Sequence, residues 1–128
     1  MPSMFVKKTD TVNVKVFVWE NENGTVDANN DKAQIPKDKD ITEVNFKFRR
    51  ANYDDSLNIM GTASMREDQS VNLNLNKFQE KVLKTLLVDW DIKDDAGNAV
   101  PCNTKQINSL HPQLARSAVS GALDLIEL

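Results

Sequence analysis

The sequence predicts an α+β fold, in which a small antiparallel β-sheet in the N-terminal half packs with a helical C-terminal half. Two stretches in residues 1–50 alternate apolar and polar side chains, as half-buried strands do. Two later stretches repeat apolar residues at helical spacing. Strands first and helices after is the segregated order of this class, so we expect about two to four strands beside three or four helices.

The composition fits a single domain over residues 1–128, with residues 1–50 mainly β and residues 51–128 mainly α. Of the 128 residues, 40% are hydrophobic and 27% are charged, and a chain of this size needs no disulfide to hold its core. The net charge of −3 lacks the clustered excess of Lys and Arg that nucleic-acid binding requires. We therefore expect a soluble protein with no nucleic-acid partner. We also expect neither a signal peptide nor a membrane span.

The first predicted strand covers residues 12–19, in which four valines share one face and two aromatic residues lie on the other. Residues 20–40 follow, with no apolar periodicity and many Asn, Asp, Gly and Pro residues, which predicts a long loop. Connections of this length are often functional or disordered, so this loop is either mobile or a contact surface. A second strand is predicted over residues 43–49, antiparallel to the first.

Three helices are predicted after the strands, besides a short one in which Tyr53, Leu57 and Met60 share a face and Gly61 ends the turn. A helix over residues 76–88 has Asn76 as its N-cap and Gln79 in a capping box, although residues 71–76 also alternate like a strand. Thr104 is expected to cap a short helical turn, and Pro112 to begin the last helix. The apolar face of that last helix, with its small alanines and Gly121, suits close packing against another helix.

The acidic segment 86–103 raises the question of a metal site, because four aspartates lie close together in it. An EF-hand loop requires oxygen ligands at its first and twelfth positions. With Gly97 at the sixth position, the first position is Ile92, which has no side-chain oxygen, and the twelfth is Asn103 where the loop needs Glu, so the pattern fails at both ends. The segment instead has the composition of a tight turn. We expect no metal and no cofactor here, and the aspartates are Asp89, Asp91, Asp94 and Asp95.

Nucleophilic catalysis has one candidate pair, Cys102 and His111, which are nine residues apart in the sequence. Nothing in the spacing brings the two side chains together, and two ligands are too few for a structural zinc. We expect no catalytic residues. Trp90 has two interpretations, either a core anchor between a helix and the sheet or an exposed anchor for a protein partner.

The order of these features resembles the small tail assembly chaperones of long-tailed bacteriophages. The matching segments are the strand at residues 43–49, the end of the predicted helix with its tryptophan, and the acidic turn after it. The resemblance extends mainly over residues 41–50 and 78–123. The matching residues are Phe46, Phe48, Arg49, Val88, Trp90, Asp94, Asp95, Gly97, Val100, Pro101 and Thr104.

The resemblance implies a non-enzymatic chaperone in the host cytoplasm that binds tape-measure and tail-tube proteins during tail assembly. Such chaperones shield apolar helical segments until the tube polymerises, and a helical half with a broad apolar face suits that task. The expected partner-binding residues are Trp90, Leu114, Ala118, Leu123 and Ile126.

Two other functions remain open at this stage. A small virion structural protein, such as a tail, neck or capsid-associated subunit, would use the N-terminal arm and the long loop for contacts with neighbouring subunits. An enzyme with an aspartate-bound metal is the third. The sequence does not determine the oligomeric state, although the valine-rich first strand suits an edge-to-edge contact between copies.

Overall fold

The computed structural model describes residues 3–7, 9–61, 63–65, 71–73 and 75–126. The chain forms an antiparallel sheet with helices packed beside it, which confirms the α+β class. The elements are β1 (Thr11–Glu20), β2 (Val26–Asn29), a 3₁₀ helix (Lys32–Gln34), β3 (Thr42–Arg49), α1 (Tyr53–Met60), β4 (Ala63–Met65), β5 (Val71–Leu73), α2 (Leu75–Leu86), β6 (Leu87–Trp90), α3 (Thr104–Asn108) and α4 (Pro112–Ile126).

The main sheet has the strand order β2-β1-β3-β6, and each neighbouring pair is antiparallel. The central pair, β1 and β3, matches the two strands predicted from alternation, with Val14 opposite Phe46. The strands β4 and β5 form a separate two-stranded sheet. Of residues 71–76, which also alternate like a strand, Val71–Leu73 form β5, while residues 75 and 76 belong to α2. Residues 51–128 therefore supply β4, β5 and β6 in addition to their helices.

One face of the main sheet carries the core. The valines of β1 and the apolar residues of β3 pack there against α2 and α4, because alternation places them all on the same side. Buried apolar residues from these elements form one cluster. Its largest fully buried side chains are Phe46, Phe48, Ile59, Leu86, Ile126, Val16, Val82 and Val119.

The opposite face of the sheet is polar and open to solvent. Lys15 and Lys47 are exposed there, and Lys15 forms an ion pair with Glu43 at 3.0 Å. Phe17 and Trp19 lie half-buried near the end of β1. The sheet is thus covered by helices on one side only. Among the described helices, none has both the length and the apolar character needed to cross a membrane.

The prediction of a long loop at residues 20–40 was wrong, because this stretch contains β2 and the 3₁₀ helix. A tight turn joins β1 to β2: the Asn21 side chain accepts hydrogen bonds from the Asn23 and Thr25 N–H groups, and Gly24 has φ of 78°. The turn positions the short segment Val26–Asn29 beside β1. Sequence patterns miss such a strand because it is four residues long and half polar.

The helix predicted at residues 76–88 begins one residue earlier and ends two residues earlier in the structure. It runs from Leu75 to Leu86, so Asn76 lies inside the first turn instead of capping it. The next four residues form β6, which pairs with β3 and contains a bulge at Val88. The apolar run continues across this boundary without a break, so only the pairing with a distant strand shows where the helix stops.

The last two helices are close to the prediction. The cap of α3 is Asn103, whose side chain accepts the Gln106 N–H at 3.0 Å, and Thr104 is the first helical residue. Pro112 begins α4 as predicted. The small residues of α4 pack mainly on the sheet and not on another helix: a Cβ added to Gly121 would lie 2.5 Å from the Val14 side chain.

Candidate functional site

Trp90 is a core residue at the edge of the sheet. It is 8% exposed, and its ring packs edge-to-face on Phe46 with 6.2 Å between the ring centroids. Its indole N–H donates to the Val100 carbonyl at 2.7 Å, which ties β6 to the chain after the acidic turn. The aromatic surface and the polar handle of this tryptophan are therefore both used within the fold.

Of the other four expected partner-binding residues, three are buried like Trp90 and one is exposed. Leu114, Ala118 and Ile126 are buried against the sheet, because the broad apolar face of α4 covers β1 and β2. Leu123 is exposed. A partner would reach these three buried residues only through a rearranged core, whereas Leu123 is accessible on the folded chain.

The acidic segment forms the tight turn that its composition predicts. The Asp94 side chain accepts hydrogen bonds from the Ala96 and Asn98 N–H groups, and Gly97 has φ of 84°, which L residues rarely adopt. Lys93 and Ala99 pair across the turn. The turn follows β6, so it connects a strand to α3, where the helix predicted over residues 76–88 would have made it connect two helices.

Two other aspartates of this segment, Asp89 and Asp91, also accept hydrogen bonds from backbone groups. Asp91 accepts hydrogen bonds from the Asn45 backbone N–H and from its side-chain amide, both at 2.7 Å. Asp89 accepts the Trp90 N–H. Within the described part of the chain, no group of three or more His, Cys, Asp or Glu side chains is placed to hold a metal ion.

Cys102 lies against the core, while His111 is exposed before α4. Burial raises the pKa of the Cys102 thiol, and the nearby Asp89 carboxylate raises it further. A raised thiol pKa lowers the fraction of thiolate, which is the nucleophilic form. The surroundings of this cysteine thus suit a packing residue.

A different surface stands out on α1. Tyr53, Leu57 and Met60 are 79%, 55% and 46% exposed, although they are the large apolar residues whose spacing predicts the helix. The buried residues of α1 are Asp55 and Ile59. We call Tyr53, Leu57 and Met60 the α1 stripe. A helix normally turns such a stripe toward the core, so its exposure on a structured element marks a candidate binding surface.

The α1 helix is held by polar contacts at its first turn. The Asn52 side chain accepts the Asp55 N–H, and the Asp55 side chain accepts the Asn52 N–H, which together form a capping box. Asp55 also accepts two hydrogen bonds from the Arg49 guanidinium, at 2.5 and 2.9 Å. These contacts attach α1 to the end of β3 and fix the direction of the α1 stripe.

The same contacts shift the ionisation of both partners. The hydrogen bonds from Arg49 hold the pKa of Asp55 below its ordinary value, and the N–H of Asn52 acts in the same direction. The pKa of Arg49 is raised, chiefly by its hydrogen bonds to Asp55. The pair is therefore ionised at neutral pH and loses its carboxylate charge only in acid.

The N-terminal arm, residues 3–7, carries a second exposed apolar group. Met4 and Phe5 are each 83% exposed, and Val6 is also exposed. A turn separates this arm from β1, because the Asp10 N–H donates to the Lys7 carbonyl at 3.0 Å. The arm thus leaves the sheet before β1 begins.

Comparison of the chain with protein-family models, with curated proteins and with solved structures finds no match.

The α1 stripe was missed as a candidate site at the sequence level. Its spacing predicted the helix, and the same spacing is what a buried helix would have. The signal that distinguishes it is Asp55, which lies opposite the stripe two residues after an Asn-capped start. An aspartate that closes a capping box and also meets an arginine can lie on the covered side, which leaves the apolar residues outward.

Proposed function

We propose that this chain is a non-enzymatic assembly chaperone of a long-tailed bacteriophage, which binds apolar helical segments of tape-measure and tail-tube proteins through the α1 stripe. The observation that carries the proposal is the exposure of Tyr53, Leu57 and Met60 on a helix that polar contacts hold in place. The order of sequence features that resembles tail assembly chaperones supports the choice of partner.

Helix geometry makes the α1 stripe continuous. At 3.6 residues per turn, Tyr53, Leu57 and Met60 fall within an arc of about 60°, on the side opposite Asp55 and Ile59. Side chains three and four positions apart are neighbours on a helix surface. The three residues therefore form one apolar strip along two turns, with Asp54 exposed at its border.

An apolar helix is the partner that such a strip fits best. Residues at positions i, i+4 and i+7 are the spacing at which helices present anchors to one another. Tyrosine and methionine are enriched in interface cores, and the flexible thioether of Met60 adapts to differently shaped neighbours. A chaperone for a long tape-measure protein meets many helical segments, so an adaptable apolar strip without a fixed charge pattern suits the task.

The test is a pull-down of tape-measure fragments from the same phage with two matched leucine variants. Leu57→Lys places a charge in the α1 stripe, and Leu123→Lys places the same charge on the exposed side of α4. We expect Leu57→Lys to remove binding and Leu123→Lys to retain it. Absence of binding by the parent chain would refute the chaperone proposal. Binding that survives Leu57→Lys would refute the assignment to α1.

A second candidate function is a small virion structural protein, and the N-terminal arm favours it. Met4 and Phe5 are the most exposed large apolar residues of the described chain. Such an arm is suited to lie on a neighbouring subunit, where its apolar residues would be covered. Quantitative proteomics of purified particles separates the two functions, because a structural subunit is present in stoichiometric amount and a chaperone is absent.

A further inference from the structure

The first half of β1 has an open edge. β1 pairs with β3 from Thr11 to Val18, but it pairs with β2 only from Phe17 to Glu20. On the β2 side, therefore, residues 11–16 have no strand neighbour among the described residues. An unpaired stretch of this kind presents a row of backbone donors and acceptors to another chain.

The other edges of the main sheet are covered or short. The Ser117 hydroxyl donates to the Ala28 carbonyl at 3.1 Å, so α4 protects the outer edge of β2. β6 has four residues and contains a bulge at Val88, and both features discourage pairing. The side chain of Asp91 accepts the Asn45 N–H where β6 ends. The open half of β1 differs from all of these.

The hydrogen-bonding direction of β1 follows from its neighbours. The Arg50 N–H donates to the Asp10 carbonyl at 2.8 Å, so even-numbered residues of β1 direct their backbone groups toward β3. Odd-numbered residues direct theirs to the other side, where Phe17 and Trp19 meet β2. Thr11, Asn13 and Lys15 consequently present their N–H and C=O groups at the open edge.

We propose that this edge binds the same edge of a second copy of the chain, antiparallel, about a two-fold axis at Asn13. In that register the residue numbers of each facing pair add to 26, since 13 + 13 = 26. Asn13 faces Asn13, and Thr11 faces Lys15 of the second copy. Both are odd-numbered pairs, so each exchanges backbone hydrogen bonds across the axis.

The sheet edge has a step at Phe17, where β2 ends beside β1, and this step selects the register. A shift toward β2 would place Thr11 opposite Phe17, a position that Asn29 of β2 already occupies. A two-fold axis at Lys15 would also set two lysines opposite each other, which is destabilising. In the proposed register the second copy extends as far as the end of β2 and stops there. Because the contact is isologous, each copy fits the step of the other.

The chain before β1 leaves room for this arrangement. The Lys7 N–H donates to the Asp10 side chain at 2.8 Å, and the Asp10 N–H donates back to the Lys7 carbonyl. This turn directs residues 3–7 away from the strand. The space that a straight extension of β1 would fill is the space where β2 of the second copy would lie.

The side chains of the core face are compatible with the same contact. Val12 would face Val14 of the second copy there, which adds a β-branched pair across the axis. A hollow beneath the edge is lined by Asn30 of the loop after β2 and by Gly121, Asp124 and Leu125 of α4. Leu125 is 42% exposed. Pairing of the edges would cover Leu125 and continue the apolar layer between the copies.

Sedimentation equilibrium of the full chain tests the proposal, with Asn13→Lys as the disruptive variant. This variant sets two lysines opposite each other on the axis, and we expect the dimer dissociation constant to rise about five- to tenfold. Asn23→Lys is the matched control, because it makes the same change at the exposed β1–β2 turn. It should dimerise like the parent. The melting temperature of each variant shows whether it is folded.

Disulfide trapping provides the second, geometric measurement. In a Cys102→Ala background, Asn13→Cys should form a covalent dimer on mild oxidation, because facing residues of an antiparallel pair lie within disulfide reach. Lys47→Cys, exposed on the interior strand β3, should not. A parent chain that stays monomeric at several hundred micromolar would overturn the proposal. A dimer whose dissociation constant is unchanged by Asn13→Lys, and that forms no disulfide at Asn13→Cys, would also overturn it.

Discussion

The helices α4 and α1 use the same sequence signal in opposite ways. Each repeats apolar residues at helical spacing, but α4 buries Ala118 and Ala122 against the sheet, while α1 leaves Tyr53 and Leu57 in solvent. The small residues of α4 allow the helix to approach the sheet closely, and Gly121 contacts β1 directly. Spacing therefore identifies a helix, whereas the size of the residues and the polar contacts of the opposite side determine which face is covered.

The free energy of unfolding should fall most when the buried core loses Trp90. Trp90→Ala removes a buried indole and its hydrogen bond to Val100, so we expect a loss of about 3–5 kcal/mol in the free energy of unfolding. Urea unfolding measures it. Trp19→Ala, in the half-buried position on the open face, should cost less than half as much. Equal costs at the two sites would contradict the burial contrast.

One added methyl group at Gly121 should weaken the packing of α4 on the sheet. Gly121→Ala places a Cβ 2.5 Å from the Val14 side chain, so overpacking should cost about 2–3 kcal/mol although alanine is the better helix former. Ser120→Ala, on the exposed side of α4, should be neutral or slightly stabilising. A combined Gly121→Ala and Val14→Ala variant should cost less than the sum of the two single changes.

The attachment of α1 should depend on Asp55. Asp55→Asn weakens two charge-assisted hydrogen bonds to Arg49, and we expect a loss of about 1–2 kcal/mol because the arginine is partly exposed. Asp54→Asn, at the neighbouring exposed carboxylate, serves as the control and should have little effect.

Acid should remove the same contribution. The pKa of Asp55 is lowered in the folded chain, so the unfolded chain binds its proton first as the pH falls. The stabilisation is complete above the ordinary carboxyl pKa, and it is lost below about pH 4 as the pH approaches the lowered value. Unfolding curves measured between pH 7 and pH 3 should therefore converge for the parent and Asp55→Asn.

The α1 stripe should contribute least to stability. Leu57→Ser changes a side chain that is 55% exposed, so the free energy of unfolding should stay within about 0.5 kcal/mol of the parent value. Thermal unfolding checks this. A loss of more than about 1.5 kcal/mol would mean that Leu57 packs in the fold, and would remove the contrast with α4.

Much of the fold was predictable from local patterns. Alternation identified β1 and β3, and Pro112 identified the start of α4, because each signal lies within one element. β6 was not predictable in this way: Leu87–Trp90 continues the apolar run of α2, and its strand conformation depends on pairing with β3, about forty residues away. The four-residue strand β2 was missed for a related reason, since its turn, and not its composition, holds it beside β1.

The site was less predictable than the fold. Trp90 is a typical interface residue type and Leu114 lies on the predicted apolar face of the last helix, but the structure buries both in the core. The sequence cannot show this, because burial depends on which helix packs against the sheet. The outward direction of the α1 stripe depends on the contact between Arg49 and Asp55, which joins a strand end to a helix start. Such a contact is visible only once both elements are placed.

The most direct test of the account is calorimetric titration of the chain with an apolar tape-measure helix, comparing the parent with a Tyr53→Ser and Leu57→Ser double variant. We expect the variant to bind at least tenfold more weakly, a loss of about 1.4 kcal/mol in binding free energy, with an unchanged melting temperature. Equal affinity of the folded variant and the parent would contradict the claim that the exposed stripe of α1 is the docking surface.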